Sequence, residues 1–137
     1  MITTEKIKRA LNELTNNGEF YVNKIKLDKK NFGDICVILH SKGEIDIRFI
    51  KDKGEYWCEI GKNGEWFFIE DVLLAIGIKD IRENNGFLDM LDQSSMLIIK
   101  NREEIFCKFN PRYYENTRSE IKAIAIKRKM DMFGKIN

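Results

Sequence analysis

Between Asp34 and Ile60 the chain alternates apolar and polar residues in three short runs separated by glycine turns, a pattern that leaves few folds open. Asp34 to His40 reads as one strand and Ser41-Lys42-Gly43 as a turn. In the next strand, Glu44 to Ile50, Ile45, Ile47 and Phe49 face one side while Asp46 and Arg48 face the other. Asp52-Lys53-Gly54 turns the chain again, and Glu55 to Ile60 sets Tyr56, Cys58 and Ile60 against Glu55, Trp57 and Glu59. Three consecutive antiparallel strands form a meander with one wet face. Glu19 to Leu27, with Phe20, Ile25 and Leu27 in mixed alternation, adds a short or bulged strand.

Helical spacing brackets this sheet. Thr3 or Thr4 caps a first helix carrying Ile7, Ala10, Leu11 and Leu14, which stops at Asn16-Asn17-Gly18. After Glu55 to Ile60, Gly61 and Lys62-Asn63-Gly64 break the strand pattern. Trp66, Phe67 and Phe68 then lead into a short helix with Val72, Leu73 and Ile76, ended by Gly77. Beyond Asn84-Asn85-Gly86, Phe87, Leu91, Ile98, Ile105, Phe106 and Phe109 recur at helical steps, predicting one long helix with a kink at Ser94-Ser95. Pro111 separates it from a last helix over Tyr113 to Phe133. The expected fold is α+β: an N-terminal helix, a three- to four-stranded antiparallel meander, then three C-terminal helices. At 137 residues, 43% of them hydrophobic, residues 1–137 suit one domain.

The same residues exclude several function classes. No stretch approaches the roughly 20 apolar residues that span a bilayer, and the start lacks a signal-peptide core, so the protein is expected in the cytoplasm without a membrane partner. Cys36, Cys58 and Cys107 stand far apart without CxxC pairs and read as buried free thiols. His40, the one histidine, falls beside a turn with no nucleophile motif near it and reads as an exposed or hydrogen-bonded turn residue. Glu70-Asp71 and Glu103-Glu104 are helix neighbours that diverge by about 100°, and Asp89 with Asp92 offers too few oxygens for a hard cation. No glycine-rich phosphate cradle follows a strand. Neither a metal, a cofactor nor catalysis is expected.

Charge is distributed unevenly. Residues 44–92 hold twelve Asp or Glu against six Lys or Arg, whereas residues 110–137 hold seven basic residues against three acidic ones. Arg118, Lys122, Lys127, Arg128 and Lys129 on the last helix, preceded by Arg112, Tyr113 and Tyr114, are a candidate nucleic-acid surface. Ile121, Ile124, Ala125, Met132 and Phe133 interleave with them, so an ordinary amphipathic helix with a basic wet face accounts for the same pattern. In the acidic region Asp46, Glu55, Trp57, Glu59, Glu65 and Trp66 set aromatic rings among carboxylates, the composition of a protein-binding hot spot. The simpler reading makes both tryptophans core residues, with Trp57 packed under the N-terminal or C-terminal helix.

Phe32-Gly33-Asp34, the run Ile45-Asp46-Ile47-Arg48-Phe49-Ile50, Lys51-Asp52-Lys53-Gly54-Glu55, Trp57-Cys58-Glu59-Ile60-Gly61, and Trp66 before Glu70-Asp71-Val72-Leu73 together resemble small bacterial immunity proteins of polymorphic or contact-dependent toxin systems. The resemblance covers Phe32 to Ile78 and carries no catalytic signature. It implies a non-enzymatic protein that binds a cognate toxin domain and blocks its active site or substrate groove. An acidic surface would complement a toxin that is basic around a nucleic-acid groove.

Overall fold

The computed structural model describes residues 1–30, 33–79 and 83–134; Phe32, part of the resemblance above, lies outside them. Among the described residues five strands, β1 (Phe20–Asp28), β2 (Asp34–Ser41), β3 (Asp46–Asp52), β4 (Glu55–Lys62) and β5 (Glu65–Phe68), form one antiparallel meander in the order of the chain. β1 is bulged between Val22 and Lys24. The expected three to four strands become five because Lys62-Asn63-Gly64 is a hairpin and not the end of the sheet. Asn63 and Gly64 both have positive φ, 54° and 81°, between the paired residues Lys62 and Glu65, which is the two-residue turn that matches strand twist. Lys53 and Gly54 make the same turn between Asp52 and Glu55.

Gly61 does not break β4 either. It pairs with Trp66, whose indole lies so close that a Cβ built on Gly61 would stand 2.6 Å from the ring. The glycine makes room for a flat aromatic ring on the sheet.

The helices also divide more finely than expected. The N-terminal helix is two segments, α1 (Thr4–Ala10) and α2 (Asn12–Thr15), joined at Leu11. Thr3 caps α1 by accepting a hydrogen bond from the Lys6 N–H. Among the described residues four helices follow the sheet instead of three: α3 (Ile69–Ala75), α4 (Phe87–Lys100), α5 (Arg102–Phe109) and α6 (Tyr114–Gly134). The long helix breaks at Asn101, whose side-chain amide donates to the Leu97 carbonyl, and not at Ser94-Ser95. The buried Ser95 hydroxyl instead donates to the Leu91 carbonyl inside an unbroken α4. Before Pro111, Asn110 takes the extended conformation that proline imposes on its predecessor (φ −70°, ψ 157°).

The helices bury their apolar side chains on one side of the sheet. Val37, Leu39, Ile47, Phe49, Cys58, Ile60 and Phe67 turn inward, and Leu11, Val72, Leu91, Ile98, Phe109 and Ile121 of the helices close over them in one core. Tyr56 ties the loop before α4 to the sheet, donating to the Asn84 carbonyl and accepting from the Gly86 N–H. Burial pushes the Cys58 thiol well up in pKa, as expected of a buried cysteine. The other two thiols depart from expectation: Cys36 is half-buried on the opposite face of the sheet and Cys107 is exposed on α5.

Candidate functional site

The outward face of the sheet can be read strand by strand from the register. Tyr21 stands opposite His40, Lys24 opposite Ile38 and Lys26 opposite Cys36. The next pairs are Ile38 with Arg48, Cys36 with Ile50, Ile50 with Trp57, Arg48 with Glu59, and Gly61 with Trp66. Glu59 is the one buried side chain among them, 8% exposed beneath Arg48. Tyr21 and Phe68 are 52% and 40% exposed, and both tryptophans, Ile38 and Ile50 are half-buried. The helix side chains of the core lie on the other side of the sheet, while Arg128 of the last helix reaches round to Phe68 at the β5 edge. Neither tryptophan is a core residue under a helix.

The two tryptophans sit in different electrostatic settings. Over Trp66 lies the Arg48 guanidinium, 4.2 Å from the ring centroid, and its Nε and Nη2 donate to Oε1 of Glu59 at 2.9 and 2.8 Å. Ring, cation and carboxylate thus form a closed set supplied by the chain itself. Nearby, His40 Nδ1 is 2.6 Å from Asp46 Oδ1, and the Tyr21 ring meets the imidazole edge-on. The expected hydrogen-bonded role of His40 fits this geometry.

Trp57 borders an open groove of about 370 Å³ whose walls include Cys36, Ile50, Lys26 and Lys51. Asp28, Asp34 and Asp52 line its end, and Asp52 is paired with Glu55 across the turn. Asp28 and Asp34 accept backbone N–H groups from Lys30 and Lys53. Among the described residues Asp52 and Glu55 are in no ion pair.

Of the acidic and aromatic residues singled out in the sequence, Asp46, Trp57, Glu59 and Trp66 therefore share the outward face, with Glu55 at its turn end. Glu65 lies apart from them. Its carboxylate faces α6, where it accepts from Arg118 Nε at 2.5 Å and stands 3.3 Å from Lys122 Nζ. The Arg118 hydrogen bond holds its carboxyl below the ordinary range. The Tyr114 hydroxyl joins this group, 3.3 Å from both Glu65 Oε1 and the Lys62 carbonyl, and burial with the neighbouring carboxylate pushes its pKa up to about 12.

The basic residues of α6 do not form one stripe. Arg118 and Lys122 close on Glu65, and Arg128 reaches Asp71 Oδ1 at 2.5 Å while stacking over Phe68. Asp71 is almost fully buried, and burial raises its carboxyl in spite of Arg128. Lys127 and Lys129 are exposed and in no ion pair among the described residues. Lys127, nine residues from Arg118, projects from the opposite side of the helix at about 100° per residue.

The sequence set Arg48 on the sheet face, Asp71 on a helix and Tyr114 beside the basic helix, but gave none of them these partners. For Arg48 a signal was present: a two-residue turn at Lys53-Gly54 sets it opposite Glu59. Asp71 and Tyr114 gain their roles through contacts with distant segments, for which one sequence carries no local mark.

Among the described residues no group of three or more His, Cys, Asp or Glu is placed to hold a metal ion, and no helix is long and apolar enough to cross a membrane. Comparison of the chain with protein-family models, with curated proteins and with solved structures finds no match in any of the three.

Proposed function

We propose that this protein works by binding another protein on the outward face of its sheet, as an immunity-type inhibitor of a toxin domain. The observation that carries the reading is a five-stranded sheet whose helices bury their apolar faces on one side and leave Tyr21, Ile38, Ile50, Trp57 and Trp66 on the other. Half-exposed aromatic and aliphatic side chains around an arginine have the composition of an interface centre, and docking removes their apolar surface from water at about 25 cal/mol per Å². The sheet edges are poorer sites. β1 carries a bulge and the exposed Lys24 and Lys26, which discourage strand addition, and β5 is flanked by α6. In this reading the protein acts in the cytoplasm, without cofactor or catalysis.

The alternative, a nucleic-acid-associated regulatory domain using Arg118, Lys122, Lys127, Arg128 and Lys129, has less support because three of these cations already have carboxylate partners. Affinity capture from the native cell separates the two readings. A stoichiometric protein partner, retained by wild type and lost with Trp57→Ala, supports the inhibitor; recovery of nucleic acid with no protein partner sinks it.

A further inference from the structure

We propose that α6 carries a second docking surface, separate from the sheet face, and that its occupant is an anionic phospholipid membrane surface. The carrier is apolar side chain that the fold leaves over. Tyr114, Thr117 and Ile121 of α6 are buried, and Ile124, Ala125 and Arg128 continue the same side half-buried. One such stripe is enough to pack a helix against a body. α6 has a second: Ile126, Met130 and Phe133 follow one another at four- and three-residue steps and are 59%, 68% and 69% exposed. At about 100° per residue they fall within about 60° of one another, on the side turned away from the body. Met132, in line with the packed stripe, is itself 62% exposed, so the last turn of α6 is apolar on both sides.

Lysines border the outward stripe. By the same reckoning Lys122 and Lys129 stand about 40° and 60° to one side of Ile126 and Lys127 about 100° to the other, while Glu120 and Asp131 lie farther round, at about 120° and 140°. Glu115, the acidic side chain in line with the stripe, is about 16 Å back along the helix. Lys127 and Lys129 are in no ion pair among the described residues, and Lys122 shares Glu65 with Arg118. A convex apolar ridge with cations on both margins suits a helix lying in a lipid interface. The ridge enters the acyl boundary, and the lysine stems let their ammonium groups reach the headgroup phosphates. Such a helix needs no run of about 20 apolar residues, so the sequence argument against a spanning segment does not bear on it. Other occupants fit less well. A second copy laid antiparallel along the ridge would set Lys122 and Lys129 against their own counterparts. A nucleic acid would meet the lysines and leave the ridge in water.

The test is flotation of the intact protein with vesicles of phosphatidylglycerol and phosphatidylcholine in equal parts, and with phosphatidylcholine alone, at moderate salt. Wild type should float with the first and not with the second. The variant I126Q/M130Q/F133Q should lose at least tenfold in partitioning, and K127A/K129A about twentyfold, both with unchanged melting curves because the side chains are exposed. K24A/K26A removes the same charge from β1, at the opposite edge of the sheet, and should bind within about twofold of wild type. Trp57→Ala should float as wild type does, which keeps this surface distinct from the sheet face. Absence of flotation with phosphatidylglycerol, flotation that survives I126Q/M130Q/F133Q, or equal damage by K24A/K26A would overturn the proposal. A dimer seen by sedimentation that I126Q/M130Q/F133Q dissolves would overturn it in favour of a second copy. Capture of an acidic protein through α6 in place of vesicle binding would overturn it in favour of a protein partner.

Discussion

Helix α6 and the Trp57 end of the sheet are both charged, but the molecule deals with them in opposite ways. On α6, Arg118 and Lys122 close on Glu65 and Arg128 closes on the buried Asp71, so three of the helix's five basic side chains hold it to β5 and α3. From Lys122 to Phe133 no α6 side chain is fully buried, and the Arg128–Asp71 pair ties that half of the helix to α3. At the Trp57 end, Asp52 and Glu55 have no such counter-charge among the described residues, and the ring beside them is uncovered. Charge that is paired within the molecule works on its stability; charge left facing outward is what a partner can meet.

This contrast can be broken most severely at its internal side. Arg128→Ala leaves the Asp71 carboxylate buried without its cation, and about 3 kcal/mol of stability should be lost in urea unfolding, the low end for a broken buried pair because Arg128 is 39% exposed. A loss under about 0.5 kcal/mol would mean that α6 is not anchored there. Next in size is Gly61→Ala. The new methyl group would collide with the Trp66 indole, costing about 1–3 kcal/mol and displacing the ring from beneath Arg48, visible as a changed tryptophan emission in a Trp57→Phe background.

A smaller effect is expected at alkaline pH. With its folded pKa at about 12, Tyr114 keeps its proton longer in the folded protein than in the unfolded chain, where tyrosine titrates near 10. Its stabilising contribution is therefore complete below about pH 10 and lost as the pH rises through about 12. Tyr114→Phe should show a shallower fall in stability across that window, as followed by chemical denaturation at several pH values. The least effect should come from Lys127→Ala with Lys129→Ala, within about 0.5 kcal/mol of wild type and without loss of the captured protein partner.

Much of this arrangement was legible in the sequence, and the rest failed for identifiable reasons. Strict alternation from Asp34 to Ile60 marked the meander and set Trp57, Glu59, Asp46 and Arg48 on one face, because side chains in a strand alternate with period two. The Asn63-Gly64 hairpin carried an equally strong signal, but Gly61 looked like a strand end and Trp66-Phe67-Phe68 has no polar alternation. The short β5 was therefore passed over. Asn101 ends α4 without proline or glycine, and a side-chain bond to Leu97 is too weak a local mark to place a break. Alternation also cannot say which sheet face the helices cover, so Trp57 and Trp66 remained divided between core and surface. The pairs Glu65–Arg118 and Asp71–Arg128 join residues more than fifty positions apart, and nothing local in the sequence announces them.

The central claim is that the partner sits on the outward face of the sheet and not on α6. Hydroxyl-radical footprinting of the protein captured from its native cell, compared with the free protein, tests it most directly. Trp57 and Tyr21 should become protected while Met130 and Met132, both strongly exposed on α6, oxidise as before. Protection of Met130 and Met132 with Trp57 and Tyr21 still reactive would contradict it.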